Sequence, residues 1–119
     1  MKIAMMTNNY KPYIGGVPIS IERLTEALRE QGHRVVVFAP KYKHLGKEQE
    51  PEEDVVRYST LSQHFYSNTV LPNPLDPVLE ETFAREEFDV IHVHHPVLIG
   101  RVAARLSQKY NIPLVYTYH

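Results

Sequence analysis

The residues of this 119-residue chain whose types and spacing suit chemistry fall in three short stretches. The first is TNNYKPYIGG, Thr7 to Gly16, where polar and aromatic residues run into adjacent glycines ahead of amphipathic sequence. Glycine loses more backbone entropy on ordering than any other residue, so Gly15-Gly16 at the mouth of a helix points to unusual dihedrals or to something approaching the backbone closely. A helix start carries free N–H groups and the positive end of the helix dipole, an anion site that a phosphate reaches where no side chain intervenes. A plain turn is the alternative reading. The second stretch is His94-His95-Pro96, and the third is the tip of PLVYTYH, which closes on His119.

His92 and His94 alternate with Ile91 and Val93, so they point to one side of a strand and His95 points elsewhere. A dinuclear hydrolase pattern of the type HxHxDH needs an aspartate where Val97 and Leu98 stand, and no helical HE or EH motif adds ligands. No metal is therefore expected, and the histidines either make functional polar contacts or pack at a strand end. The absence of cysteine removes disulfides, thiolate catalysis and cysteine-bound zinc together. The three-glycine dinucleotide fingerprint and a Walker A lysine are missing, and Pro40-Lys41 occupies the place of an acidic ribose ligand.

A formal charge of -1 gives no basic field for a phosphate backbone, which argues against a nucleic-acid partner. The longest apolar runs, such as Val35 to Ala39, fall far short of the roughly 20 residues of a spanning helix, and no signal-peptide pattern follows Met1. A cytoplasmic protein is expected. Asp89 opens a strand at the end away from the three stretches, which suits a cap or salt bridge. Lys41, Lys43, Lys47 and the acidic run Glu48 to Asp54 suit a solvated loop. Tyr10 and Tyr13 either cover a substrate or close the glycine loop on its own scaffold.

The elements that position these residues follow from hydrophobic period. Lys2 to Thr7 is a compact apolar run. Val17, Ile21, Leu24 and Leu28 then recur at helical spacing up to a Gly32 cap. RVVVFA, Arg34 to Ala39, is β-branched and continuous, as in a strand covered on both faces. A third strand is expected near Val55 to Ser59, a helix opened by Asp76-Pro77, a strand from Phe88 to His94, a helix with Leu98, Val102, Leu106 and Tyr110 on one face, and a strand from Pro113 to Tyr118. Thr60 to Pro77 has no clear element, and a loop of that length has a function or hides one.

Alternating strands and helices predict an α/β fold, a doubly wound and mainly parallel five-stranded sheet of order 3-2-1-4-5. Ligands bind such sheets outside the carboxyl ends of the strands where the order reverses, between strands one and four. That point gathers the Thr7 to Gly16 loop, the His94-His95-Pro96 turn and His119. The chain stops at the tip of a strand, so a longer protein is expected, and an exposed edge of strand five invites self-association.

With these residues in place, the chain resembles the N-terminal Rossmann-like half of glycosyltransferase family 4 enzymes, which have the two-domain GT-B architecture. KIAMMTNNYKPYIGGVPISIERLTEALREQGHRVVVFAP and DVIHVHHPVLIGRVAARLSQKYNIPLVYTYH carry the resemblance, and Lys41 to Glu87 adds little. It implies transfer of a sugar from a nucleotide diphosphate sugar, with retention of configuration and no required metal or other cofactor. It implies that Gly15 and Gly16 face the donor diphosphate, that His119 contacts the transferred sugar as the catalytic-site histidine, and that His94 and His95 help to hold sugar or acceptor. The nucleotide pocket belongs to a second, C-terminal domain in that family, so residues 1–119 alone are expected to be inactive. A membrane lipid is one acceptor the resemblance suggests, with peripheral contact at the inner membrane face. A stand-alone flavodoxin-like anion-binding module and an interaction domain using the strand-five edge are the competing readings.

Overall fold

The computed structural model describes residues 1–11, 16–42, 54–62, 71–95 and 98–117. Its central strand is β1 (Lys2–Met6), in which Ile3, Ala4, Met5 and Met6 are all buried. An apolar run without polar alternation belongs in a sheet covered on both faces. Accordingly β1 pairs in parallel with β2 (Arg34–Pro40) on one side and with β6 (Val90–Val93) on the other. Beyond them lie β3 (Val55–Tyr58) and β7 (Leu114–Tyr116), also parallel. The order is β3-β2-β1-β6-β7, which counted within this sheet is the expected 3-2-1-4-5.

The pleat sends alternate residues of β1 to two separate cores. Ile3 and Met5 meet Val35, Val37 and Ala39 under α1 (Gly16–Glu30), whose Ile21 is fully buried and whose Val17, Leu24 and Leu28 pack alongside. Ala4 and Met6 meet Phe38, Ile91 and Val93 under α2 (Pro77–Glu86) and α3 (Ile99–Tyr110). Phe83 of α2 fills that core, with its ring centre 5.3 Å from Phe38 and 4.9 Å from Phe88. α1 ends as the sequence predicts: Gly32 takes φ +91°, a region closed to most side chains, and its amide bonds the Arg29 carbonyl at 3.0 Å.

The stretch Thr60 to Pro77, left open as a functional loop or a hidden element, does hide one. The segment after β3 carries two short strands, β4 (Thr60–Ser62) and β5 (Leu71–Pro72), which pair antiparallel as a ribbon separate from the main sheet. Strands this short have no readable period, and the prolines around them mask the signal. Asp89 behaves as expected: its carboxylate accepts the Lys2 amide at 2.7 Å, and Arg34 pairs with Glu86 at 2.6 Å, so this end of the sheet is closed by charge.

Asp76 joins the ribbon to α2. Its carboxylate caps the helix by accepting the Val78 amide at 2.9 Å and also accepts the Ser59 amide. Burial pushes this carboxyl up, but the hydrogen bonds from Ser59 and Val78 outweigh it and hold the group below its ordinary range. Asp76→Ala is expected to lose about 1–2 kcal/mol in urea unfolding. Because the folded-state value is depressed, the ionic contribution is complete above the unfolded carboxyl range near about pH 4 and fades as pH falls through it. Asp76→Asn should keep the cap and lose that acid dependence.

Candidate functional site

β1 leaves the sheet at Met6, and every polar backbone group beyond it needs a new partner. The Thr7 amide still reaches the Phe38 carbonyl at 3.1 Å, while its own carbonyl accepts the Tyr58 hydroxyl at 2.6 Å. Burial, with a smaller effect from Tyr42, pushes the Tyr58 phenol well above its ordinary range, so it stays a neutral donor. Thr7 Oγ1 closes a small turn by accepting the Asn9 amide at 3.0 Å and donating to the Asn9 carbonyl at 2.8 Å.

Asn8 is the pivot of the site, at 2% exposure. Its amide donates to His95 Nδ1 at 3.2 Å, and its side-chain oxygen accepts the first amide of α3, from Ile99, at 3.1 Å. Thus the β1 loop, the β6 tip and the α3 start are tied through one residue. The bond fixes Nδ1 of His95 as an acceptor, so the neutral ring carries its hydrogen on Nε2.

The two expected histidines part ways in burial. His95 is half-buried beside Asn8, whereas His94 is 1% exposed. The His94 ring stacks on His92 with centres 4.4 Å apart, and its Nε2 lies 2.8 Å from Met5 Sδ. His92 and His94 share one side of β6, as their alternation predicts, and His92 Nε2 reaches Thr117 Oγ1 at 2.6 Å. Since Thr117 also donates its amide to the Val93 carbonyl at 2.9 Å, the end of β7 joins the same edge. Among the described residues no group of acidic or histidine side chains is arranged to hold a metal ion.

Tyr10 resolves one open alternative. Its ring is 4% exposed in the α1-side core and its amide donates to the Tyr42 hydroxyl at 3.0 Å, so it closes the loop on its own scaffold. Gly16 opens α1 without a left-handed φ, and a Cβ built there meets nothing within 4 Å among the described residues. Among the described residues, neither the backbone angle nor packing therefore demands glycine at this position. Tyr13, Gly15, Pro96 and His119 lie outside the described residues.

Two features escaped the sequence. A Cβ on Gly100 would stand 2.5 Å from the His95 carbonyl oxygen, so α3 can approach the histidine turn only because this residue is glycine. A glycine inside a helix costs about 1 kcal/mol against alanine, which was the available signal. Leu98, between that turn and α3, is held at φ 59° and ψ -102°, well away from the populated regions for a side-chain residue. Strained backbone of this kind collects at binding sites, where the surroundings over-determine it.

These features define a class: one doubly wound α/β unit with polar residues gathered at its topological switch point, where such folds bind ligands. Residues 14–119 match the family model for Glycosyltransferase Family 4, and the chain belongs to that family. It is similar to the alpha-monoglucosyldiacylglycerol synthase of Streptococcus pneumoniae, 24% identical over 119 residues that make up 100% of this chain and 26% of that protein. It is also similar to the GDP-mannose-dependent alpha-mannosyltransferase of Mycobacterium tuberculosis, 28% identical over 99% of this chain and 32% of that protein. The alpha-monoglucosyldiacylglycerol synthase of Acholeplasma laidlawii is 28% identical over 100% of the chain and 30% of its own length. The chain thus spans less than a third of these relatives.

Gly100→Ala should push the His95 carbonyl away from α3. The expected cost is about 1–3 kcal/mol of stability, as for an overpacked core position. The accompanying sign is a displaced Asn8 amide resonance, and an unshifted Asn8 amide would show that the turn does not rest on Gly100.

Proposed function

We propose that this chain is the N-terminal, acceptor-side part of a retaining glycosyltransferase that moves a sugar from a nucleotide diphosphate sugar to an acceptor. The observation that carries the reading is Gly16: it is helical, it opens α1 beside the switch point, and the space where a side chain would go is empty among the described residues. A phosphate that approaches the first amides of α1 needs that space. As the donor's glycosidic bond breaks, negative charge grows on the departing diphosphate, and N–H groups already aimed at it stabilise that charge without reorganising.

In this reading Gly15 and Gly16 form the diphosphate wall and His119 contacts the transferred sugar. His95, with its hydrogen on Nε2, offers a donor to a sugar or acceptor hydroxyl, and Tyr13 covers the donor. His94 shapes the same edge, and its burial suits support of the His95 turn better than direct contact. No metal or other cofactor is needed. The two relatives named as alpha-monoglucosyldiacylglycerol synthases favour a lipid acceptor. In this reading the enzyme acts from the cytoplasmic side at a membrane surface. Among the described residues no helix is long and apolar enough to cross a membrane. A second domain would bring the nucleotide pocket and close the cleft.

Residues 1–119 alone are accordingly expected to show no turnover in a coupled assay with uridine and guanosine diphosphate sugars. Sustained transfer by this piece would contradict the two-domain reading. In the full-length enzyme, Gly16→Val should lower turnover on the order of a hundredfold, the effect of losing one well-placed oxyanion donor. The folded state should be unaffected because the new side chain meets open space among the described residues. Wild-type kinetics in that variant would remove Gly16 from the donor site.

A further inference from the structure

Arg57 lies on β3, two strands from β1, yet its guanidinium serves the loop that follows β1. Nη1 donates to the Pro40 carbonyl at 2.9 Å and Nη2 to the Lys11 carbonyl at 2.8 Å. The guanidinium carbon is 5.5 Å from the centre of the Tyr10 ring and 5.9 Å from that of Tyr42. Tyr42 in turn accepts the Tyr10 amide, so a planar cation associated with two rings bridges the end of β2 and the loop. Such a fork satisfies both carbonyls in one fixed geometry, which the single ammonium of lysine on its flexible stem does not reproduce.

What Arg57 holds stands just ahead of the proposed donor wall in the sequence. Lys11 precedes Gly16 by five positions, and its ammonium lies 3.2 Å from the Glu22 carboxylate on α1. The loop is therefore tied to β3 through its backbone and to α1 through a side chain. Tyr58, the next residue on β3, holds the Thr7 carbonyl from the opposite face of the sheet. Adjacent residues of one strand thus grip the two ends of the segment 7–11. The exposed Lys11–Glu22 pair adds little by itself, and of these two ties the Arg57 fork is the stronger.

We propose that Arg57 is a positioning residue for the sugar donor, acting through the Lys11 carbonyl and the Tyr10 ring. The proposal rests on reading the start of α1 as the diphosphate wall. Removing the fork leaves the Lys11 carbonyl without its charged donor and loosens the seat of Tyr10. The first amides of α1 then lose a fixed approach to the diphosphate, so the loss falls on the donor side of the reaction.

The test uses the full-length enzyme with Arg57→Met and Arg57→Lys, donor and acceptor varied separately, together with amide hydrogen exchange across residues 8–11. Expected is a fall in donor kcat/KM on the order of ten- to a hundredfold, the scale of a small misplacement made away from the chemistry. Acceptor KM should stay near wild type, exchange at Tyr10 and Lys11 should quicken, and Arg57→Lys should recover only a minor part of the loss. Wild-type donor kinetics and loop exchange in a folded Arg57→Met would overturn the proposal. Equal losses on the donor and acceptor sides with a lowered Tm would assign Arg57 to general stability and overturn it too. If Arg57→Met does not fold, Arg57→Lys decides by the same readouts. If the wild type transfers no sugar from any donor, the reading of the site fails separately. Loop exchange then judges Arg57 alone, and unchanged exchange overturns its role.

Discussion

A strand buried on both faces loses its hydrogen-bond ladder where it leaves the sheet, and in this protein that happens at Met6, in the middle of the fold. The polar backbone from Thr7 to Lys11 must be satisfied there or carry a desolvation penalty of about 1–3 kcal/mol per group. The structure meets this constraint by recruiting a different element for nearly every residue. Phe38 and Tyr58 take Thr7, His95 takes Asn8, Tyr42 takes Tyr10, and Arg57 takes Lys11. β2, β3, β6, α3 and the β1 loop meet at this edge because one loop has to be shared among them.

This sharing explains which parts of the molecule the sequence made legible. The main sheet follows from continuous apolar runs such as Lys2–Met6 and Arg34–Ala39, and the helices from residues such as Ile21 and Leu106 at helical spacing, so strand order emerges from period and chirality. Asp76 and Gly32 are equally visible because a cap is local. The ribbon β4–β5 was hidden, since two- and three-residue strands have no period to detect. The partners of the loop were hidden for another reason. Asn8 with Ile99 spans 91 positions and Arg57 with Lys11 spans 46, and no local pattern records a bond across such a distance. Gly100 lay between these cases, a helical glycine whose cause became visible only when the His95 carbonyl was found against it.

The histidines show how residue type alone misleads. His92, His94 and His95 stand together in the chain, and their chemistry invites a single role. The pleat divides them, sending His92 and His94 to the α1 side beside Met5 and Thr117 and turning His95 toward Asn8. Burial then separates His94 from His95, so adjacent residues of one type have different surroundings in the same edge.

The ribbon has a consequence for how such a protein diversifies. Thr60 pairs with Pro72, the Asn73 amide bonds the Ser59 carbonyl at 2.9 Å, and Asp76 fixes Ser59 to the start of α2. The chain that leaves at Ser62 and returns at Leu71 is therefore clasped at its base, whatever its length. Once ends are pinned, doubling a flexible insert adds only about 0.6 kcal/mol of closure entropy. A clasp of this kind lets an evolving sequence lengthen, shorten or rewrite what lies between β4 and β5 while the register of the main sheet and the seat of α2 stay as they are.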